Sequence, residues 1–285
     1  DGQRLWRINF LSDFGAAFLG VDSKVPGAAE HGYTSAPVFD GEKLIACVGG
    51  TNGAGVVCFD KRLGKVLWKS QDDLAAYAAP MVARLAGVKQ AVCFTAAGLI
   101  GLDLADGRLL WRVPIKTSYG RNCTTPVIVG DLVIAGSYQT GLFGVKISAA
   151  NGRLIAEQLW VNKAAAPNFS SFIAAGQHLY GLGPAKNLIC VEAATGKITW
   201  SKEGYIMTAA NAAHATLLVL GKNILVCTDG GQLILIAADP SECREISRAQ
   251  VSGMNWCSPA YAGGRLYVRD GIKAAGNLYC LELMP

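Results

Sequence analysis

The chain has 285 residues, of which 51% are hydrophobic and only 16% charged, and its 26 basic and 21 acidic side chains leave a net charge of +5. This composition excludes a disordered chain and predicts a folded protein with a large core. The lysines and arginines are scattered, so we expect no nucleic-acid-binding surface. No uninterrupted apolar run approaches the roughly 18–20 residues of a membrane-spanning helix, and we expect no membrane span.

Glycine, cysteine and histidine usage narrows the class further. The 34 glycines, against 10 prolines, predict many tight turns. None of the nine cysteines belongs to a C-x-x-C pair, which excludes the usual zinc and thioredoxin patterns. With three histidines and no His-x-His or His-Glu pair, we expect no metal site.

The chain begins with part of a repeat, followed by a long loop. Residues Asp1 to Trp6 contain a glycine and a tryptophan four positions apart, a spacing that recurs later. Residues 13–32 form the one long insertion, and loops of this kind in compact domains are usually functional. We expect this loop to fold over a binding site, with His31 inside it and Tyr33 next to it.

Six similar segments follow, each with a strongly apolar strand. Their equivalent positions repeat about every 45 residues, which is in the range of β-propeller blades. Each segment is predicted to hold four short strands joined by glycine-bearing turns. The third strands are expected near residues 56–60, 99–103, 142–146, 188–192, 233–237 and 278–282. The sequence therefore predicts one all-β domain over residues 1–285, a β-propeller of six four-stranded blades.

Three segments share a motif in which an acidic residue precedes a glycine by four positions and the glycine precedes a tryptophan by four. Glycine permits the positive φ of the turn between the third and fourth strands. The acidic side chain can cap that turn, and the tryptophan offers a flat apolar face to the next blade. We interpret the motif as structural, with these members: Asp60, Gly64, Trp68, Asp103, Gly107, Trp111, Glu192, Gly196, Trp200 and the related Trp6.

One repeated position carries cysteine in three segments, glycine in two and leucine, Leu235, in the sixth. Cys58, Cys190 and Cys280 occupy the position that Gly101 and Gly144 hold in other segments. This repetition favours small buried side chains over disulfides, because unpaired cysteine usually behaves as a small hydrophobe.

The two ends of the chain complement one another. The chain stops after the half of the repeat that precedes the half with which it starts. The N-terminal strand is therefore predicted to complete the last blade and to close the ring. The alternative is six blades of a longer propeller.

The motif, as in Asp60, Gly64-Lys65 and Trp68, resembles the blade motif of the pyrroloquinoline-quinone-like propeller superfamily, over essentially the whole chain. That superfamily includes quinone-dependent alcohol dehydrogenases. It also includes cofactor-free relatives, such as the outer-membrane barrel-assembly lipoprotein, that use the ring for protein contacts. The resemblance implies the propeller fold, and its most similar members imply a bacterial protein that is periplasmic or secreted. The many cysteines argue against an oxidising compartment.

In propellers, the loops between fourth and first strands and between second and third strands share one face. The polar and aromatic residues that the repeat places there are the predicted ligand- or partner-binding residues: His31, Tyr33, Tyr77, Tyr119, Arg121, Asn122, Asn168, Asn211, His214, Asn255 and Trp256. Calcium needs some six to eight oxygen ligands, several of them anionic. Among the polar residues that the repeat places on this face, only Asp229 and Asp270 are acidic.

We therefore expect a non-catalytic propeller, a monomer, that binds a protein partner or a small ligand at this face and needs no cofactor or metal. The alternative is a quinone- and calcium-dependent alcohol or sugar dehydrogenase, with PQQ and Ca²⁺ bound and Asp229 or Asp270 as the base.

Overall fold

The computed structural model describes residues 2–16, 33–209, 212–271 and 276–282. The chain divides into two compact units, residues 1–161 and 162–285. Within the described ranges the structure is built from β-strands, with a five-residue helix, α1 (Phe10–Phe14), and two short 3₁₀ turns. The prediction of an all-β fold is confirmed. In the described part of the chain, no helix has the length and apolar character needed to cross a membrane.

The first unit contains three antiparallel four-stranded sheets, and in each sheet the strands pair in the order in which the chain forms them. The strands of the first sheet are β1 (Val38–Asp40), β2 (Lys43–Cys47), β3 (Val56–Asp60) and β4 (Val66–Ser70). Those of the second are β5 (Met81–Leu85), β6 (Val88–Thr95), β7 (Gly98–Asp103) and β8 (Leu109–Pro114). Those of the third are β9 (Val127–Val129), β10 (Leu132–Ser137), β11 (Gly141–Ala150) and β12 (Arg153–Asn162).

The second unit contains two four-stranded sheets and one three-stranded sheet, again antiparallel and in chain order. The strands of the fourth sheet are β13 (Ile173–Ala175), β14 (His178–Leu182), β15 (Leu188–Glu192) and β16 (Ile198–Lys202). Those of the fifth are β17 (Ala215–Leu220), β18 (Asn223–Thr228), β19 (Gln232–Ala237) and β20 (Glu245–Gln250). Those of the sixth are β21 (Ala260–Ala262), β22 (Arg265–Arg269) and β23 (Leu278–Glu282).

The sixth sheet differs from the four strands predicted for it. Among the described residues it has three, and residues 2–9, which were expected to supply the fourth, are not in a strand. Asp1 and residues 283–285 lie outside the described residues, as do residues 17–32 of the predicted long loop. Closure of a ring and the number of blades therefore stay predictions.

The core lies between successive sheets within each unit. In the first unit, one cluster joins Ile45 and Val56 of the first sheet to Ile100 and Leu102 of the second. Another joins the second sheet to the third through Phe94 and Phe143, whose rings meet edge to face at 6.0 Å. Sheets buried on both faces need apolar side chains at successive positions, which explains the continuous apolar runs and the low charge content.

In the first two sheets, the acidic residue of the motif caps its own turn. Asp60 Oδ1 accepts hydrogen bonds from the backbone N–H groups of Arg62 and Leu63 at 2.9 and 2.8 Å, and Gly64 follows with φ of 67°. Asp103 caps its turn in the same way through the N–H of Ala105 at 2.9 Å. Glu192 differs, because its carboxylate accepts from the hydroxyl of Thr195.

Trp68 of the motif reaches the turn of the next sheet, and Trp6 makes a similar contact with the first sheet. The Trp68 ring lies over Gly107 in the turn of the second sheet, where a methyl group would come within 2.6 Å of the indole. Trp6 makes the same contact with Gly64, and its N–H donates to the carbonyl of Lys61 at 3.0 Å. Trp6 of the N-terminal segment therefore packs on the first sheet in the way that Trp68, from a fourth strand, packs on the second sheet.

Candidate functional site

Three of the predicted site residues meet in the first unit. The side-chain amide of Asn122, fully buried, donates to the carbonyl of Thr95 at 2.7 Å, and the backbone carbonyl of Asn122 accepts the backbone N–H of Tyr77 at 3.1 Å. Burial raises the pKa of the Tyr77 hydroxyl, and the charge of Arg121 opposes that rise. Asn122 therefore joins the end of β6 to the loop that carries Tyr77. The half-buried Tyr77 and Arg121 lie beside it.

Tyr33 lies apart from that group. Its hydroxyl donates to the carbonyl of Val48 at 2.8 Å, and its ring packs edge to face on Phe10 at 5.3 Å. The backbone of Tyr119 belongs to the 3₁₀ turn Ser118–Gly120, and its side chain is outside the described structure. His31 and Asn211 also lie outside the described residues.

Asp229, considered above as a base or calcium ligand, has another task in the second unit. It is fully buried, and its carboxylate accepts the N–H groups of Met207 and Thr208 at 3.1 and 3.0 Å, together with the Thr208 hydroxyl. Its backbone carbonyl accepts the N–H of Asn255 at 2.9 Å. One residue thus holds two loops together, the loop before β17 and the loop before β21.

Asp270 holds the second of these loops from its other side. Its carboxylate accepts the N–H of Gly253 at 3.1 Å, the N–H of Asn277 at 2.7 Å and the hydroxyl of Tyr279 at 2.9 Å. These hydrogen bonds favour the ionised form and lower the pKa of Asp270 to about 2. The carboxylate is therefore a fixed anion that fastens a loop.

Asn255 completes this framework. Its amide nitrogen lies 3.5 Å from Cys227 Sγ, and its side-chain oxygen accepts the N–H of Cys257. Like Asn122, it is buried and fully used within the fold. The sequence therefore identified two loop-fastening asparagines where it predicted ligand-binding ones, because burial cannot be read from residue type.

The two loops fixed by Asp229 and Asp270 display large apolar side chains to solvent. Met207 is 76% exposed, Met254 53% and Trp256 43%. Trp256 stacks on the half-buried Phe169 from the loop before β13, with ring centroids 6.3 Å apart. We call these four residues, Phe169, Met207, Met254 and Trp256, the Met–aromatic surface.

Only Trp256 of this surface was among the residues predicted to bind. Met207 and Met254 were missed, although both fall in loops that the repeat places on the predicted face, and the chain has only four methionines. Methionine outside a strand, in a loop of that face, was the available signal. Asn168 lies next to Phe169 and is half-buried.

His214 lies at the start of β17, close to the same framework. Its Nε2 is 3.4 Å from the Thr216 hydroxyl, which in turn is 3.3 Å from Ser258 Oγ. Burial lowers the pKa of His214, and the charge of Asp229 opposes that shift. The imidazole is therefore held mainly in its neutral form at neutral pH.

These residues do not fit the calcium and quinone chemistry of the alternative hypothesis. The carboxylates of Asp229 and Asp270 already accept backbone N–H groups, so their oxygens are turned towards the loops they hold. In the described ranges, no three His, Cys, Asp or Glu side chains come together as metal ligands would. A calcium ion would need several such oxygens at one point.

Comparison with known proteins agrees with this architecture. The sequence profile of the family described as "Outer membrane protein assembly factor BamB" matches residues 1–202. BamB from Moraxella catarrhalis is similar in structure, with a TM-score of 0.55 and 18% identity over 84% of this chain and 67% of that chain. No curated protein matches the chain in sequence.

Two further structures share the fold at lower identity. The computationally designed protein Ika8 has a TM-score of 0.60 with 10% identity, covering 82% of this chain and 67% of that chain. The β-propeller domain of Cps50 (Swd1) from Myceliophteria thermophila has a TM-score of 0.51 with 15% identity, covering 88% of this chain and 86% of that chain. The predicted propeller fold and the predicted superfamily are confirmed, and the chain belongs to the family of the outer membrane protein assembly factor BamB, whose members carry the PQQ-type propeller repeat.

Proposed function

We propose that this chain is a non-catalytic scaffold that binds a protein partner through the Met–aromatic surface. The observation that carries the proposal is the display of Met207, Met254 and Trp256 on loops fastened by buried carboxylates. Met254 and Trp256 lie two residues apart in one loop, and Asp229 ties the loop of Met207 to it. An apolar patch built from two such loops marks an interaction site. A surface held in one conformation before binding loses less entropy when the partner docks.

The residue types also favour a protein over a small ligand. Tryptophan is enriched among the residues that dominate binding energy at interfaces. Methionine is flexible and polarizable, and it adapts to apolar partner surfaces of varied shape. We infer that a partner covers Trp256 and the two methionines, while Phe169 supports the Trp256 ring from below.

The family description suggests the setting. Because the family is described as an outer membrane protein assembly factor, we propose that the partner takes part in assembling outer membrane proteins and that this chain works in the bacterial periplasm. The cysteines are compatible with an oxidising compartment because most are shielded. Cys47, Cys58, Cys93, Cys190 and Cys227 are buried, and burial raises the pKa of Cys227 to about 11, which disfavours the reactive thiolate.

A photo-crosslinking amino acid at position 254 tests the proposal in cells that make the protein, with position 261 as the control. Tyr261 is 54% exposed in β21, so both positions are equally open to solvent. We expect crosslinks at position 254 to a protein of the outer membrane assembly apparatus, and none of these at 261. Identical crosslinks at both positions, or none at 254, would count against the proposal.

Purified components then measure the contribution of the surface. With the partner identified by crosslinking, we expect Trp256→Ala to weaken binding by roughly tenfold or more, as interface hot spots do, and Tyr261→Ala to leave it unchanged. We further propose that no quinone is used. Protein mixed with pyrroloquinoline quinone and Ca²⁺ should show no bound chromophore, and a stable absorbance with dye-linked alcohol oxidation would revive the dehydrogenase hypothesis.

A further inference from the structure

The outer strand of the third sheet is unlike the other outer strands. β12 has ten residues, whereas β4, β8, β16 and β20 have five or six. In the first two sheets, Asp60 and Asp103 end the third strand by capping the turn that follows. The equivalent residue of the third sheet is Lys146, whose ammonium group cannot accept a hydrogen bond.

Without that cap, the third sheet continues into a longer hairpin. β11 runs on to Ala150, and the chain reverses at Asn151 and Gly152, with φ of 51° and 71°. Two successive residues with positive φ are typical of the tight type I′ turn, for which Asn-Gly is the preferred sequence. The third sheet therefore ends in a tight Asn-Gly hairpin whose outer strand has about twice the usual length.

This edge exposes aliphatic side chains. In the described structure, β12 is the terminal strand of its sheet, paired on one side with β11. Ile155, Leu159 and Val161 are 47%, 48% and 46% exposed, while the alternate residues Leu154 and Ala156 pack on the core. Long edge strands with exposed apolar residues template pairing with another strand, which is why most proteins protect them.

Charges on the same face specify which strand fits. Arg153 and Glu157 flank Ile155 by two residues on either side, both are exposed, and neither takes part in an ion pair with any described residue. In an antiparallel pair of two β12 strands centred on Ile155, each Arg153 faces the Glu157 of the other copy. A pair centred on Glu157 would instead bring two carboxylates together, which is unfavourable.

We propose that two copies of this chain associate through β12, antiparallel and centred on Ile155, to form one continuous eight-stranded sheet. The contact is isologous, as a two-fold axis requires. It goes beyond partner binding at the Met–aromatic surface and departs from the monomer expected from sequence. Because only the first half of β12 pairs in this register, the dimer is weak and depends on concentration.

Sedimentation velocity over a wide concentration range tests the proposal. We expect wild-type protein to pass from monomer to dimer, and Arg153→Glu or Glu157→Arg alone to weaken dimerisation by roughly tenfold or more, because each creates two like-charge pairs. The double variant R153E/E157R restores opposite charges and should dimerise like wild type. A wild-type protein that stays monomeric at every concentration overturns the proposal, and so does a double variant that fails to recover.

A matched pair of isoleucines supplies the control. Ile246 lies in the outer strand β20 and is 45% exposed, close to the value for Ile155. Ile155→Lys should abolish the dimer and Ile246→Lys should keep it, with unchanged thermal melting temperatures for both monomers. Equal dimerisation of the two variants would place the contact elsewhere and refute the register.

Discussion

The indole of Trp111 lies over Gly101, the residue opposite it on β7, and its N–H donates to Gln90 Oε1 at 2.6 Å within the same sheet. In the first sheet, Cys58 occupies the equivalent position and Trp68 donates instead to Leu104 of the second sheet, at 3.3 Å. The same holds for Cys190, where the Trp200 N–H reaches the carbonyl of Asp239 at 2.8 Å. The size of one side chain therefore decides whether a blade tryptophan folds back or reaches to its neighbour.

We predict that Gly101→Ala destabilises the protein by about 1–3 kcal/mol, the range for overpacking a dense core. The added methyl group would overlap the Trp111 indole. Chemical denaturation of a double-mutant cycle with Trp111→Leu checks the cause, because removing the indole should relieve most of the cost. Strictly additive effects would show that the two residues do not interact.

Removing Trp111, which packs within its own sheet, should also lower stability. We predict that Trp111→Ala lowers the free energy of unfolding by about 3–5 kcal/mol, because it leaves a large cavity and removes the partner of a buried glutamine. Thermal or chemical unfolding measures it. Arg121→Ala, a change at a half-buried residue of the predicted face, should cost well under half as much because it removes no core ring, and equal losses for the two variants would contradict this division of roles.

A second kind of contact fastens the loop after β4. Arg112 binds both carboxylate oxygens of Asp73, at 2.8 and 3.0 Å, and Asp73 also accepts the hydroxyl of Thr95. The Asp73 side chain is only 10% exposed, so Arg112→Ala would leave a poorly solvated charge. We predict a loss of about 2–3 kcal/mol, below the full cost of a buried pair because Arg112 is itself partly exposed.

Arg248→Ala is the matched control for that experiment. The Arg248–Glu245 pair is more exposed, although its shortest distance is 2.6 Å. Exposed ion pairs contribute about 0.2–1 kcal/mol. Urea denaturation should therefore separate the two variants clearly, and a similar loss in both would mean that burial of Asp73 adds nothing.

The lowered pKa of Asp270 makes the stability of the fold depend on pH in the acidic range. Its pKa is lowered to about 2 in the folded protein, against an ordinary value of 3.8. A depressed carboxylate pKa stabilises the fold above the unfolded-state pKa, and that contribution disappears as pH falls from about 4 to about 2. Asp270→Asn should be less stable than wild type at pH 6, with the difference shrinking across that window. A difference that stays constant down to pH 2 would argue against an ionised Asp270.

The lowered pKa of His214 makes the stability of the fold depend on pH at a higher pH than Asp270 does. Burial lowers its pKa below the ordinary 6.5, so the unfolded chain binds a proton more readily than the folded one. Stability should therefore fall as pH drops below about 6.5, until the folded-state pKa is reached. His214→Gln should flatten this part of the stability profile, and an NMR titration of the imidazole measures the pKa directly. A measured pKa above 6.5 would contradict this prediction, because stability would then rise as pH drops through this range.

The repeat made much of the fold predictable from sequence. Spacing of the apolar segments predicted strands near residues 99–103 and 188–192, where β7 and β15 lie. Local chemistry predicted the turns as well, because Asp60 and Gly64 act within a few residues of each other. The site was less predictable, since Asn122, Asn255 and Asp229 have the residue types of ligands but are used as loop struts.

The sequence by itself determined the strand pattern, the turn chemistry and the family, because these depend on residues close together in the chain and repeated at a fixed period. Only the tertiary structure decided which polar residues are buried and which apolar ones remain exposed. Asp229 joins Met207 to Asn255, and Phe169 meets Trp256, across long stretches of chain. Burial and hydrogen bonding depend on such distant neighbours, so only the tertiary structure shows which side chains of these loops are buried and which are exposed.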